Sequence, residues 1–406
     1  MGRVRRTALV TAAVAVIALL TAACGGSAAR DARVNDTRAV TPSTTRVLPP
    51  LSTTSATTAA GTGATAVSVV PTTAEPASTT TLAPPIRPDV GFSLSYSSLG
   101  EDDAVLAADM AAIYASGAGW VRIDVDWSAM EPERGTYVWQ YVDRAVAAAR
   151  AHRLEVLGLV AYTPSWARPG GSNDKHPPTD PADMATFAAV AAARYAAAGV
   201  TAWEVWNEPN SRNFWTPKPS PQAYAELLAA VAPAIRSTVP GATIVTGGLA
   251  PAVDAANGNE ISPVTFLQGV VDAGAGEHFD AVGVHPYSYP ALPSDASTAT
   301  WNTFVRLPLV HDVLMRAGMD DRPLWLTEVG APTGTGNRAV DEDRQAEIVV
   351  DAVATARTLP WVQRTFVFTQ RDSGVDTRDI ESQFGVRRFD GTAKPAYDAL
   401  STLLHS

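Results

Sequence analysis

From Arg87 to the C-terminus, eight short apolar runs recur, and a helix-patterned stretch follows each of them. The runs occupy residues 90–96, 120–127, 155–163, 202–208, 242–249, 281–287, 323–329 and 364–370. They are rich in Val, Ile, Leu and aromatic residues and mostly do not alternate with polar ones, as expected of parallel strands covered on both faces. The stretches between them carry helix punctuation. Asp180-Pro181 opens the run 182–198 with Gly199 past its end, and Ser220-Pro221 and Ser262-Pro263 open two more. Each is an N-cap followed by a proline in the first turn, where the missing N–H has no helical partner to lose. A further helix is expected from near Trp301 to Gly318. Pro233 lies inside the run 222–238 and predicts a kink there or a break just before it. Eight strands alternating with helices predict an α/β fold of the (β/α)8 barrel type. The alternative is an open doubly wound sheet, which favours a Gly-rich phosphate loop after its first strand. None follows residues 90–96.

Ahead of the barrel, the sequence divides into residues 1–24 and 25–86. Arg3, Arg5 and Arg6 make a positive start, and residues 8–20 form an apolar run short for a membrane span. Leu20-Thr21-Ala22-Ala23-Cys24-Gly25 resembles a bacterial lipobox, although Thr21 stands where that pattern prefers Leu. The expectation is a signal peptide whose Cys24 is acylated and becomes the mature N-terminus, with ordinary cleavage and secretion as the alternative. Residues 25–86 are dominated by Thr, Ser, Ala and Pro and have almost no aromatics, so they read as a disordered tether. The expected location is extracytoplasmic, with membrane contact only through a lipid at Cys24.

Apolar residues make up 46% of the 406-residue chain, enough to fill a large core in residues 87–406. A net charge of −10 argues against nucleic acid or an anionic membrane surface as partner. Cys24 is the only cysteine, which excludes an intramolecular disulfide and a cysteine-based zinc site. No organic cofactor is implied, and oligomeric state is not written in the sequence.

In such a barrel, reactive residues gather at the C-terminal ends of the strands. Polar residues interrupt the apolar runs there: Asn207 and Glu208 in the fourth run, His285 and Tyr287 in the sixth, Glu328 in the seventh. A buried carboxylate without a partner is expensive, so several strand ends of this kind point to one shared cleft. The plainer alternative is that Glu208 and Glu328 each form a core salt bridge with an arginine. Glu204, on the same face as Glu208, reads first as a core ion pair. His285 could simply cap a backbone carbonyl, and no ligand-spaced histidine or carboxylate lies near it to suggest a metal. His152, His278 and His311 are expected in solvent.

Six segments in barrel order carry a resemblance: Val121-Arg122-Ile123-Asp124, Thr163-Pro164-Ser165-Trp166, Trp203 through Asn210, Gly247-Gly248-Leu249, Val284-His285-Pro286-Tyr287 and Trp325-Leu326-Thr327-Glu328. With them, residues 87–406 resemble the retaining glycoside hydrolases of the clan that contains families 5 and 39, most of all the family 39-like branch. The resemblance implies cleavage of O-glycosidic bonds in a β-linked oligo- or polysaccharide. It implies Glu208 as general acid and then base, with a pKa raised towards roughly 6 or 7. Glu328 would be the nucleophile and Asn207 would hold the sugar 2-hydroxyl. Tyr287 would hydrogen-bond Glu328, and Arg122 would lie beneath it. Carboxyl groups about 5–5.5 Å apart and net retention of anomeric configuration follow.

Trp127, Tyr162, Trp166 and Trp215 follow strands at the open end and are candidate sugar-stacking residues, with Phe214-Trp215 foremost. Trp120, Trp139 and Trp361 read as core. Related enzymes often close the eighth strand with a Trp beneath the reacting sugar; here Gln370-Arg371-Asp372 stands near that point and predicts a polar floor or an Arg371–Asp372 ion pair. Two other readings stay open: a catalytically silent surface barrel that binds glycans, and a transglycosidase.

Overall fold

The computed structural model describes residues 89–406. The proposed signal segment, Cys24, the tether 25–86 and the first two residues of the predicted barrel domain lie outside the described residues. The eight strands are β1 (Val90–Ser93), β2 (Trp120–Asp126), β3 (Glu155–Ala161), β4 (Ala202–Val205), β5 (Thr243–Thr246), β6 (Val282–Val284), β7 (Leu324–Val329) and β8 (Val362–Phe368). Between and after them run α1 (Asp103–Ala115), α2 (Trp127–Met130), α3 (Gln140–Ala151), α4 (Pro181–Ala196), α5 (Pro221–Thr238), α6 (Pro263–Asp272), α7 (Leu307–Arg316), α8 (Glu342–Arg357) and α9 (Pro395–His405). Strand pairing is parallel in the order β5-β4-β3-β2-β1-β8-β7-β6. Parallel bridges Val245 to Ala281 and Leu249 to Val284 join β5 to β6 and bring the ends of the sheet together. The (β/α)8 barrel predicted from the alternating pattern is the observed fold.

The helix starts follow the sequence signals. Asp180, Ser220 and Ser262 each accept a backbone N–H from the first turn, and each is followed by proline. Helix α5 runs unbroken through Pro233, so no break occurs there; its face carrying Leu227, Leu228, Val231 and Ile235 is buried, and that packing holds the helix together. The last helix before β7 begins at Leu307 rather than near Trp301.

Inside the barrel, side chains alternate between layers with the two-residue period of strands. The lower layer is apolar: Trp120, Leu157, Ala202, Val245, Ala281, Trp325 and Phe366 form one buried cluster. Trp120 meets Trp325 edge-on at 5.7 Å, and Gly91 is needed beside them, because a Cβ there would come within 2.6 Å of Trp120 Cβ. Two residues further along the same strands, the layer above turns polar: Ser93 on β1, Arg122 on β2, Glu204 on β4 and Thr327 on β7. The apolar plug closes one end of the barrel, and the polar layer forms the base of the site at the other.

Candidate active site

Arg122 organises that polar layer. Its guanidinium is buried, and its donors reach Glu204 Oε2 at 2.5 Å, Glu328 Oε1 at 2.7 Å, Ser93 Oγ at 2.9 Å and Asn207 Oδ1 at 3.0 Å. A planar fork of five fixed donors is the side chain that can serve four acceptors at once. Glu204 completes its own set with the Gly248 N–H at 2.8 Å and the Thr327 hydroxyl at 3.0 Å. It is the core ion pair expected from the sequence.

Above this base, β4 ends at Val205 and the chain leaves the sheet abruptly. Trp206 and Glu208 both adopt left-handed backbone, with φ of 73° and 48°. Such residues cost about 1–2 kcal/mol each and persist where surrounding packing fixes them. Here the fixing group is the Trp206 indole, fully buried, which donates to the Phe214 carbonyl at 2.8 Å. Trp215 meets it edge-on at 5.1 Å and is itself wedged against Tyr224. With 2% exposure, Trp215 has no open face for a sugar, which corrects its assignment as a stacking residue. It anchors the turn instead. Trp127 and Tyr162 are likewise buried, so neither lines the rim. Trp166 is half-buried; its indole donates to the Glu131 carbonyl at 2.8 Å, and Arg134 lies 4.1 Å over its ring.

The turn aims Glu208 at His285, whose Nδ1 lies 2.9 Å from Glu208 Oε1 and 3.7 Å from Glu328 Oε2. Those two legs limit the gap between the two carboxylate oxygens to at most about 6.6 Å. That ceiling includes the roughly 5–5.5 Å of paired carboxyls in retaining chemistry and falls at the bottom of the inverting range of about 6.5–9.5 Å. Glu328 is gripped from both sides, by Arg122 on Oε1 and by the Tyr287 hydroxyl on Oε2 at 2.8 Å. Asn207 spends its carbonyl oxygen on Arg122, which leaves its amide N–H groups to donate elsewhere. The structure thus brings Arg122, Asn207, Glu208, His285, Tyr287 and Glu328 together; His285 bonds a carboxylate rather than capping a backbone carbonyl.

The two carboxyls are pushed in opposite directions. Burial raises the pKa of Glu208 and the charge of Glu328 adds to it, while His285 and Arg122 pull the other way without cancelling it. Burial acts on Glu328 too, but His285, Arg122 and Tyr287 outweigh it and hold its pKa below the usual carboxylate range. Burial alone would lower His285, yet Glu328 and Glu208 keep it above its ordinary value. The result is one carboxyl inclined to hold a proton beside one inclined to lose it.

A family model described as Cellulase (glycosyl hydrolase family 5) matches residues 90–363. The chain belongs to that family. Among curated proteins it is 32% identical over 84 residues to a Hyaluronoglucuronidase of Hirudo nipponia, covering 20% of this chain and 17% of that one. Among solved structures it is similar to a family 39 glycoside hydrolase from Bacteroides cellulosilyticus WH2, with TM-score 0.64 and 23% identity over 78% of this chain and 63% of that one. It is also similar to a GH5_18 variant from Streptomyces cattleya in complex with Manb1-4GlcNAc, with TM-score 0.60 and 20% identity, covering 78% of this chain and 80% of that one. The chain therefore spans about a sixth of the curated relative's length and under two thirds of the family 39 enzyme's.

Within this family 5 domain, the polar floor expected at the end of β8 does not form from the predicted residues. Gln370, Arg371 and Asp372 are all buried. Arg371 pairs with Asp109 of α1 at 3.1 Å and with Glu101, and Asp372 pairs with Lys394 at 2.9 Å, so the two do not pair with each other. Phe368, half-buried and edge-on to Phe384 at 5.4 Å, is the aromatic at the strand end. His311 is not a solvated residue: its ring stacks on Trp361 at 4.7 Å.

The sequence reading gave no role to three residues of the site. Ser93 and Thr327 sit one strand period beyond inward-facing lower-layer positions, and that period was the available signal. Gly248 stood in a recognised motif without a reason. A Cβ at 248 would lie 2.0 Å from His285 Nε2 and 2.5 Å from Thr327 Oγ1, so only glycine leaves room for the imidazole. Its carbonyl also accepts the Glu208 N–H at 3.0 Å. Among the described residues, no group of three or more His, Cys, Asp or Glu is placed to hold a metal ion.

Proposed function

We propose that the chain is a retaining glycoside hydrolase that cuts an O-glycosidic bond in a β-linked oligo- or polysaccharide by double displacement. The observation that carries this reading is the pair of oppositely shifted carboxyls, Glu208 and Glu328, within 2.9 and 3.7 Å of one His285 nitrogen. In the first step, Glu328 attacks the anomeric carbon while Glu208 gives its proton to the departing sugar oxygen. In the second, Glu208 takes a proton from water, the resulting oxygen attacks the same carbon, and Glu328 leaves as carboxylate. Asn207 donates an amide N–H to the 2-hydroxyl, a contact that strengthens as positive charge builds on the ring. Arg122 and Tyr287 keep the nucleophile ionised and aligned, and His285 orients the acid/base.

The test is a panel of β-glycans incubated with the wild type, Glu328→Ala and Glu208→Gln, with products read by mass spectrometry and the first anomer by NMR. Retained anomer from the wild type and loss of turnover in both variants support the reading. Inverted product, or glycan binding without turnover by the wild type, sinks it. Products lengthened by an acceptor sugar would assign transglycosylation instead.

We also propose that the domain is displayed outside the cytoplasm, joined through residues 25–86 to a lipid on Cys24. The support is the positive, apolar and small-residue order of residues 1–24. Mass spectrometry of the mature N-terminal peptide tests it; an unmodified peptide, or Cys24→Ala protein fractionating with membranes as the wild type does, would refute the anchor.

A further inference from the structure

Lys394 and Asp372 form a buried ion pair that the steps above leave unused. Lys394, 1% exposed, lies just before α9, and Asp372 lies past the end of β8. The ammonium donates to the Thr333 hydroxyl at 2.8 Å, to Asp372 Oδ1 at 2.9 Å and to the Gln383 carbonyl at 3.4 Å. A lysine is rarely taken so far out of water unless its charge is paired and its three donors are used; this one meets both conditions. The same Asp372 oxygen accepts the Gly385 N–H at 2.8 Å. From α8, the buried Gln345 amide donates to the Ala331, Phe384 and Gly385 carbonyls. Residues 383–385 are therefore clamped from α8, from the stretch after β8 and from the stretch before α9. What the clamp holds in place is Phe384. Its ring, 4% exposed, meets Tyr287 edge-on at 5.7 Å, Tyr289 at 5.8 Å and Phe368 at 5.4 Å. Tyr289 in turn meets Tyr287 at 5.8 Å. The Tyr287 hydroxyl donates to Glu328 Oε2 at 2.8 Å. A tyrosine turns about two side-chain torsions, the second of them broad, so its hydroxyl stays on one oxygen only where packing fixes the ring.

We propose that Phe384 is a positioning residue for the nucleophile: clamped by the Lys394–Asp372 pair and Gln345, it locks the Tyr287 ring so that the hydroxyl stays on Glu328. The inference rests on the nucleophile role proposed for Glu328. The groups that face Glu328 are Arg122 from β2, His285 and Tyr287 from the segment after β6, and Glu208 from the turn after β4. Glu381, in the same stretch as Phe384, feels its charge. Phe384 meets this set through the Tyr287 ring. Burial pushes Glu328 up, and the charges of His285 and Arg122 together with the Tyr287 hydrogen bond overcome it. Loosening that bond therefore raises the pH at which Glu328 titrates. The acid/base turn is braced elsewhere, by the loop between β5 and α6. There the Asn210 amide donates to the Ala250 and Ile261 carbonyls, and the Ser211 hydroxyl donates to Glu260 Oε1 at 3.1 Å. That brace shares no residue with the clamp on Phe384.

The test uses the full chain as wild type, Phe384→Leu, Tyr287→Phe and the double variant. The Glu328 carboxyl is followed by carbon NMR, with Glu328→Gln assigning the signal. In Tyr287→Phe the Glu328 titration moves up by about one pH unit. In Phe384→Leu it moves up by about half as much. In the Tyr287→Phe background, Phe384→Leu adds nothing, because the bond through which it acts is already gone. An unmoved Glu328 titration in folded Phe384→Leu overturns the proposal. So does an equal shift from Phe384→Leu with and without the Tyr287 hydroxyl, which would mark general loosening of the core. Should Phe384→Leu fail to fold, Phe384→Met replaces it, with a smaller upward shift expected and no shift overturning the idea. Where a glycan is cleaved, the acid limb of kcat/KM moves up with the titration. The NMR measurement needs no substrate, so it reads Phe384 even where nothing is cleaved, and absence of turnover would count against the glycosidase reading alone.

Discussion

Replacing Arg122 by methionine keeps the apolar stem and takes one cation from between two carboxylates. Arg122 is 2% exposed, with Glu204 at 2.5 Å and Glu328 at 2.7 Å. Without it, Glu204 retains the Gly248 N–H and the Thr327 hydroxyl but no positive partner within the polar layer. Removing one member of a buried ion pair costs about 3–5 kcal/mol, because the remaining charge is stranded. Domains are stable by roughly 5–15 kcal/mol, so the variant should fold with its urea midpoint clearly lowered. Adding Glu204→Gln to Arg122→Met should recover about 1 kcal/mol or more, since one stranded charge is gone and neighbouring sites do not add. The pH dependence has a definite sign. The folded pKa of Glu328 lies below its ordinary 4.5, so its contribution is present above that value and is lost as pH falls through the folded pKa. The stability gap between wild type and Arg122→Met should therefore narrow below about pH 4.5, and the acid limb of activity in the variant should move up. A folded Arg122→Met that loses under about 1 kcal/mol, with strictly additive Glu204→Gln, would refute the account of Arg122 as the hub of the site.

Glu208→Gln should trade turnover for stability. The folded pKa of Glu208 is raised above 4.5, so its favourable contribution is complete below that value and is lost as pH rises through the folded pKa. Calorimetry should show the variant more stable than wild type at pH 8 and no more stable at pH 4. Its kcat on natural glycans should fall about 10²–10⁴-fold, and less on aryl glycosides whose leaving group needs no proton. Gly248→Ala should drive His285 from its place, with a stability loss of about 1–3 kcal/mol and loss of the His285–Glu208 bond in a crystal structure. Retention of that bond in the alanine variant would refute the close-approach argument.

The barrel and the convergence of Glu208 and Glu328 were legible because each leaves a mark at fixed period. Burial on both faces produces unalternating apolar runs, and a carboxylate ending such a run has few structural reasons to be there. Glu204 could be read for a related reason: two positions past Ala202 on β4, it returns to the inner face of the barrel. Arg371 and Asp372 fall outside that rule: β8 ends at Phe368, and past it each side chain finds another buried partner, Arg371 in Asp109 of α1 and Asp372 in Lys394. Strand ends were overextended at 206–208 and 162–163 because hydrophobicity continues past the sheet: Trp206 and Tyr162 stay buried while their backbones turn left-handed. Trp215 was misassigned on the same ground, for an indole that braces a strained turn and an indole that receives a sugar look identical in sequence. Glu260 lies beyond any periodic signal. It sits in a loop, 49 residues from Ser211, and the bridge to Ser211 together with the Asn210 bonds ties that loop to the turn that carries Glu208. Residues placed by period can be inferred from a strand, whereas a residue placed by loop-to-turn hydrogen bonds leaves no periodic mark and must be seen.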